Sequence, residues 1–213
     1  MTDHKEKKRD LNIDLLKILV MVMVICLHYL SHQDFLHSDV GSPMYFMAWL
    51  LYGACVVSVD VFVIITGYYA CGKQFDYKHQ ITRLLSIVAN AGICSMIVYF
   101  LCMIAFGAEL TLDNFVFSCF PTITNTNWFV TAYVLLLIFS PIVDKVVLKI
   151  NKEVYRRTLI LMFLFICVFP SMSLQYRLMT KIEPGVIVLF VFLYMLGGYI
   201  RSYGETRLGG YLE

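Results

Sequence analysis

Long apolar runs separated by short polar breaks dominate this chain. They lie at about 11–31, 44–70, 84–106, 128–148, 158–175 and 186–203. A helix of about 20 apolar residues crosses the roughly 30 Å hydrocarbon layer of a bilayer. Helical periodicity adds little, because helices inside a membrane bundle are apolar nearly all round. The breaks are more informative: "GSP" at 41–43, "CGK" at 71–73, Gly107, Pro121, "SP" at 140–141 and "EPG" at 183–185. The pattern predicts an all-α, polytopic integral membrane bundle of about six transmembrane helices.

Composition excludes the competing reading, a soluble helical protein with a large core. The 213 residues are 60% hydrophobic and 15% charged, with a mean hydropathy of +0.74. A soluble domain is about 45–50% apolar and about 25% charged. The net charge of +2 argues against a nucleic-acid partner; the placement of the charges says more than their sum. Lys5, Lys7, Lys8 and Arg9 precede the first span, Lys73, Lys78 and Arg83 follow the second, and Lys145, Lys149, Lys152, Arg156 and Arg157 follow the fourth. Segments 32–43 and 107–127 hold no Lys or Arg. The later segments carry Arg177 and Lys181, then Arg201 and Arg207. This alternation places the N-terminus in the cytoplasm by the positive-inside rule, and an even number of spans returns the C-terminus there. The first span is too long for a signal-peptide core and lacks a small-x-small cleavage site. No C-x-x-C pair occurs among the seven cysteines, and most sit inside apolar runs, as small core residues do.

Ionisable groups within the spans carry the candidate chemistry. Lys17 and His28 lie eleven positions apart in the first span. That is close to three helical turns, so both face the same way, roughly 16 Å apart along the axis. Lys17 can snorkel to the inner headgroups and His28 can sit at the outer interface beside Tyr29. The functional alternative is that both face a cavity, as ionisable groups in spans usually do. Asp60, in "SVDVFVIITGYYA", is too short to snorkel far. It must be paired, protonated or facing water, and an ion pair with Lys17 is the structural possibility. "TGYY" at 66–69 reads as a helix end with interfacial aromatics, and Trp128 as an interfacial anchor. Arg83 and Lys78 are placed to meet phosphates, although positive-inside charge explains them equally. His28, His32 and His37 cluster on the outer side, but no acidic or cysteine ligand stands at a matching position, so no metal site is expected. Asp144 and "GYIRSYGE" at 198–205 read as ordinary interface.

Taken together, these residues resemble the membrane-bound acyltransferase 3 proteins, which O-acylate cell-surface polysaccharides and related acceptors. The likeness runs from about Asn12 to Gly204. It rests on the cation–ten residues–His pattern of Lys17 and His28 in "NIDLLKILVMVMVICLHYL", and on "VDVFVIITGYY", which matches a Ser-Gly-Tyr-like motif. "NWFVTAYVLLLIFSP" and "FLYMLGGYIRSYG" match later helices. The cation is usually Arg in that family and is Lys17 here; an ammonium cannot grip a partner in bidentate fashion as a guanidinium does. The family also carries more spans than are read here. The resemblance therefore implies an incomplete acyltransferase-3-like domain over 11–204, between a basic tail at 1–10 and a C-terminal tail at 205–213.

The resemblance implies transfer of an acyl group, acetyl being the expected one, from cytosolic acyl-CoA to a hydroxyl of a surface or lipid-linked glycan at the plasma membrane. His28 is the expected base, Lys17 the donor's electrostatic partner and Asp60 the residue that holds Lys17. Arg83, Thr66, Gly67, Tyr68 and Trp128 are the expected substrate contacts. Acyl-CoA is then a donor substrate, and no permanently bound cofactor is expected. Two other readings stay open: a small transporter or flippase-like protein using Lys17, Asp60 and His28 as a polar relay, and an inactive membrane partner.

Overall fold

The computed structural model describes residues 10–32, 41–73, 76–107, 111–119, 121–122, 127–168 and 184–204. Among the described residues the secondary structure is helical throughout. The helices are α1 (Leu11–His32), α2 (Pro43–Ala70), α3 (Tyr77–Phe106), α4 (Leu112–Cys119), α5 (Trp128–Val147), α6 (Lys152–Phe163) and α7 (Pro184–Tyr203). Among the described residues five helices are long and apolar enough to cross a membrane: Leu11–His32, Pro43–Ala70, Tyr77–Ala105, Trp128–Val147 and Gly185–Tyr203. Their outer faces are apolar, with Ile18, Leu50, Ile97 and Ile142 all more than half exposed. Such faces suit lipid rather than water. The sixth expected span is met in part by α6, which continues through a π-helical turn, Leu164–Val168. Residues 169–175 of that span lie outside the described residues, as do His37 and the tails at 1–9 and 205–213.

Local chemistry explains where the helices begin and end. Helix α3 starts seven residues before the expected position 84, because Asp76 caps it. The Asp76 carboxylate accepts from the backbone N–H of Lys78 at 3.0 Å and of His79 at 3.3 Å. An extended residue with a short side-chain acceptor satisfies N–H groups that the first helical turn leaves open. At its other end Gly107 takes a left-handed conformation (φ 64°) and donates to the Met103 carbonyl. The expected loop 71–83 is therefore much shorter. The expected loop 107–127 contains a short helix, α4, which packs on α3 through the Tyr99–Phe115 ring contact at 6.3 Å.

The "SP" step at 140–141, read as a break, lies inside α5. Pro141 has no N–H, so the Leu137 carbonyl one turn earlier loses its helical donor. Two side chains replace it. Gln80 Nε2 of α3 donates to the Leu137 oxygen at 2.9 Å, and the Ser140 hydroxyl donates to it at 3.0 Å. Within a membrane such a replacement is what lets a proline sit in a spanning helix. Gln80→Leu should lower the melting temperature of the detergent-solubilised protein, with a loss of about 1 kcal/mol. An unchanged melt would show that Ser140 alone suffices.

The contacts divide the chain into two compact units, Met1–Ile65 and Thr66–Glu213, with the boundary inside α2. In the first, α1 is an unbroken helix, and Val20 and Leu30 are its buried residues. In the second, α5 packs on α3 and α7, and α7 also packs on α6. Its interior is filled by Phe190, Tyr194, Tyr155, Leu136 and Leu137. Two glycines let helices approach closely. A Cβ at Gly67 would collide with the Tyr194 carbonyl oxygen, and one at Gly198 would lie 2.6 Å from the Cys71 Cβ.

Candidate functional site

In the first unit, helix α1 carries both Lys17 and His28 without interruption. The Lys17 ammonium lies 3.1 Å from Asp14 Oδ1, one turn earlier on the same helix. Asp14, not among the candidate residues of the sequence, is thus a carboxylate neighbour of Lys17. An i, i+3 Asp–Lys pair is the signal that could have found it. Asp60 sits half-buried in α2, two positions after Ser58, which is fully buried. His28 is exposed, and its ring lies nearly parallel to that of His32, 6.3 Å away between centroids.

In the second unit the structure brings Thr66 and Arg83 to one phenol oxygen, that of Tyr133 on α5. The Arg83 guanidinium donates to it at 2.7 Å, and Thr66 Oγ1 lies 3.0 Å from it. Arginine can only donate, so the Tyr133 oxygen accepts that bond and its own proton is available to Thr66. The early start of α3 places Gln80 and Arg83 one turn apart, facing Leu137 and Tyr133 of α5. Tyr133 was missed because nothing in a run of apolar and aromatic residues distinguishes it. Its only signal was the four-residue spacing from Phe129, on which its ring stacks at 5.9 Å.

The rest of the "TGYY" motif joins α2 to α7. Gly67 provides the close approach to Tyr194. The Tyr68 carbonyl accepts from Arg201 at 3.1 Å, and the Arg201 guanidinium lies 5.4 Å from the Tyr68 ring and 5.9 Å from that of Tyr69. "GYIRSYGE" thus supplies a cation to the motif, a role beyond ordinary interface. Trp128 opens α5 and is half exposed. Its ring meets Phe129 edge-on at 6.1 Å, and Phe129 in turn stacks on Tyr133.

Asp144, read from the sequence as ordinary interface, is buried. One oxygen accepts from the Gly72 backbone N–H at 2.9 Å and from the Tyr194 hydroxyl at 3.0 Å. This joins the end of α2 to α5 and α7. Beside it, the Tyr155 hydroxyl donates to the Met195 carbonyl at 2.6 Å and lies 3.7 Å from Cys71 Sγ. Burial, the largest cause, pushes the Cys71 thiol up to about 12 and raises the Tyr155 phenol above its ordinary value. Neither group ionises near neutral pH, which suits a packing role rather than a nucleophilic one.

The family model described as an acyltransferase domain, acyltransferase 3, matches residues 10–212. The chain belongs to the acyltransferase 3 family. No curated protein and no solved structure matches it. This acyltransferase 3 domain is a multi-pass membrane protein, and the match extends across the seven helices of the described residues. Lys17, His28, Asp60, Arg83 and the "TGYY" residues all fall within it.

Proposed function

We propose that this acyltransferase 3 protein moves an acyl group, acetyl being the simplest, from acyl-CoA to a hydroxyl of a cell-surface polysaccharide or lipid-linked glycan precursor. The observation that carries the reading is the unbroken helix α1, which holds Lys17 and His28 on one stripe inside the family match. Alternation of basic segments with segments that hold no Lys or Arg supports a plasma-membrane orientation with Lys17 near the cytoplasmic end of that helix and His28 near its outer end. Labelling of Asn114→Cys, in a protein freed of its other cysteines, by an impermeant thiol reagent on intact cells tests the orientation. Labelling only after lysis would reverse it.

In this mechanism the His28 imidazole takes the proton of the acceptor hydroxyl. Imidazole is the side chain that titrates nearest neutrality, which suits a general base. The acceptor oxygen bonds to the thioester carbonyl carbon, and the carbon–sulfur bond then breaks. The proton held by the imidazole passes to the departing CoA thiolate, leaving an ester and a free thiol. Lys17 stabilises negative charge on the donor. Its partner Asp14 orients the ammonium, with Asp60 a second carboxylate for the same task. Arg83 meets phosphate groups of CoA. Thr66, Gly67, Tyr68 and Trp128 shape the surroundings of the substrates.

Substitutions at Lys17 test this reading. Lys17→Arg should keep or raise the rate of acyl transfer, since the family usually carries the guanidinium there. Lys17→Ala should lower it by about 10- to 100-fold, the scale of one lost hydrogen bond between a charged group and the donor. Wild-type activity of both variants at equal membrane levels would leave Lys17 with a snorkelling role only.

A further inference from the structure

Arg83 is a half-buried cation near a membrane-spanning helix terminus, less than two turns from the start of α3. Among the described residues no carboxylate pairs with it, and its hydrogen bond is to a neutral phenol. A charged group at such a site usually has a counter-ion or awaits one. A carboxylate partner would neutralise the guanidinium, whereas a phenol fixes its direction and leaves the full charge for an incoming anion. The remaining N–H groups of the fork stay available.

The phenol is itself held in place. The ring of Tyr133 stacks on Phe129 at 5.9 Å with an interplanar angle of 24°. Phe129 in turn meets Phe190 of α7 edge-on at 5.9 Å, and Phe190 is 1% exposed. Thr66 Oγ1 lies 3.0 Å from the phenol oxygen and fixes the hydroxyl from α2. Three helices thus converge on one oxygen, and that oxygen aims one guanidinium.

We propose that Tyr133 is a positioning residue for donor binding: its hydroxyl, oriented by Thr66, holds the Arg83 guanidinium in the direction that receives a phosphate of acyl-CoA. The inference rests on Arg83 as the donor contact and adds the residue that makes it effective. It assigns Tyr133 no contact with the reacting atoms.

The test is CoA binding by calorimetry to the protein in lipid nanodiscs, with wild type, Tyr133→Phe, Arg83→Gln and the double variant. Tyr133→Phe should weaken CoA binding about 10-fold, the scale of one hydrogen bond to a charged group. Arg83→Gln should weaken it at least as much. The double variant should match Arg83→Gln alone, because the phenol acts only through the guanidinium. In turnover with acetyl-CoA, Tyr133→Phe should raise the donor KM and leave kcat and the acceptor KM within about twofold. Should Tyr133→Phe fail to fold, Thr66→Val reports on the same bond, with about threefold weaker CoA binding expected. Wild-type affinity in Tyr133→Phe, or effects that multiply in the double variant, would overturn the proposal. A wild-type protein that binds no CoA would overturn the donor reading of Arg83 and this inference with it. Normal CoA binding by both wild type and Tyr133→Phe would remove the inference alone.

Discussion

His28→Ala should reduce acyl transfer by about 10²- to 10⁴-fold, the usual contribution of a general base, while its level in the membrane stays near that of wild type. The second half of that expectation comes from the structure. His28 is exposed on α1, and its ring contact is with His32 on the same helix. Removing an imidazole from such a position leaves no cavity in a packed core, so stability should change little. An interfacial anchor predicts the opposite: near-normal transfer by His28→Ala. Immunoblotting of membranes alongside the transfer assay separates the two, because only a loss of rate at equal protein level supports catalysis.

Gly67→Ala should give the largest loss of stability of any single methyl added to the described helices. On helix propensity alone this change should help, since Ala is favoured over Gly by about 1 kcal/mol in a helix interior. The new Cβ would collide with the Tyr194 carbonyl oxygen and lie 2.7 Å from its carbon. Both obstacles are backbone atoms and cannot rotate away, so α2 and α7 must separate where Gly67 now permits contact. That would strain the Tyr194–Asp144–Gly72 hydrogen bonds at the same junction. Overpacking of this kind costs roughly 1–3 kcal/mol, and more where the backbone must move. The expected result is a lost or aggregated peak in size-exclusion chromatography and a sharply lower melting temperature. Gly53→Ala is the control, because nothing lies within 4 Å of a Cβ there. A Gly67→Ala protein as stable as Gly53→Ala would contradict this packing.

The spans were legible because the bilayer imposes a length and a composition that one dimension of sequence records directly. Positions of the first, second and fourth spans match α1, α2 and α5 to within a residue or so. The start of α3 was not legible in the same way. "YKHQITR" is polar, so hydropathy starts the span at the apolar run after it, whereas the hydrogen bonds to Asp76 start the helix earlier. Helix α4, at 8 residues, was too short to register as a span. Pro141 was misjudged because its rescue by Gln80 comes from another helix. The same limit applies to the site. Lys17, His28, Arg83 and Thr66 announced themselves as polar groups or motif residues in apolar surroundings. Tyr133 and Asp144 did not, since their roles exist only through partners 50 or more positions away in the chain.

Acyl transfer itself is the most direct measurement of the central claim. Membranes containing the protein, and membranes lacking it, would be supplied with acetyl-CoA labelled in the acetyl group and with the host's surface or lipid-linked glycan. The account predicts label in the glycan fraction only when the protein is present, released as free acetate by mild alkali as an ester would be. Glycan label no higher than in the protein-free membranes, with proteoliposomes instead taking up solute, would contradict it.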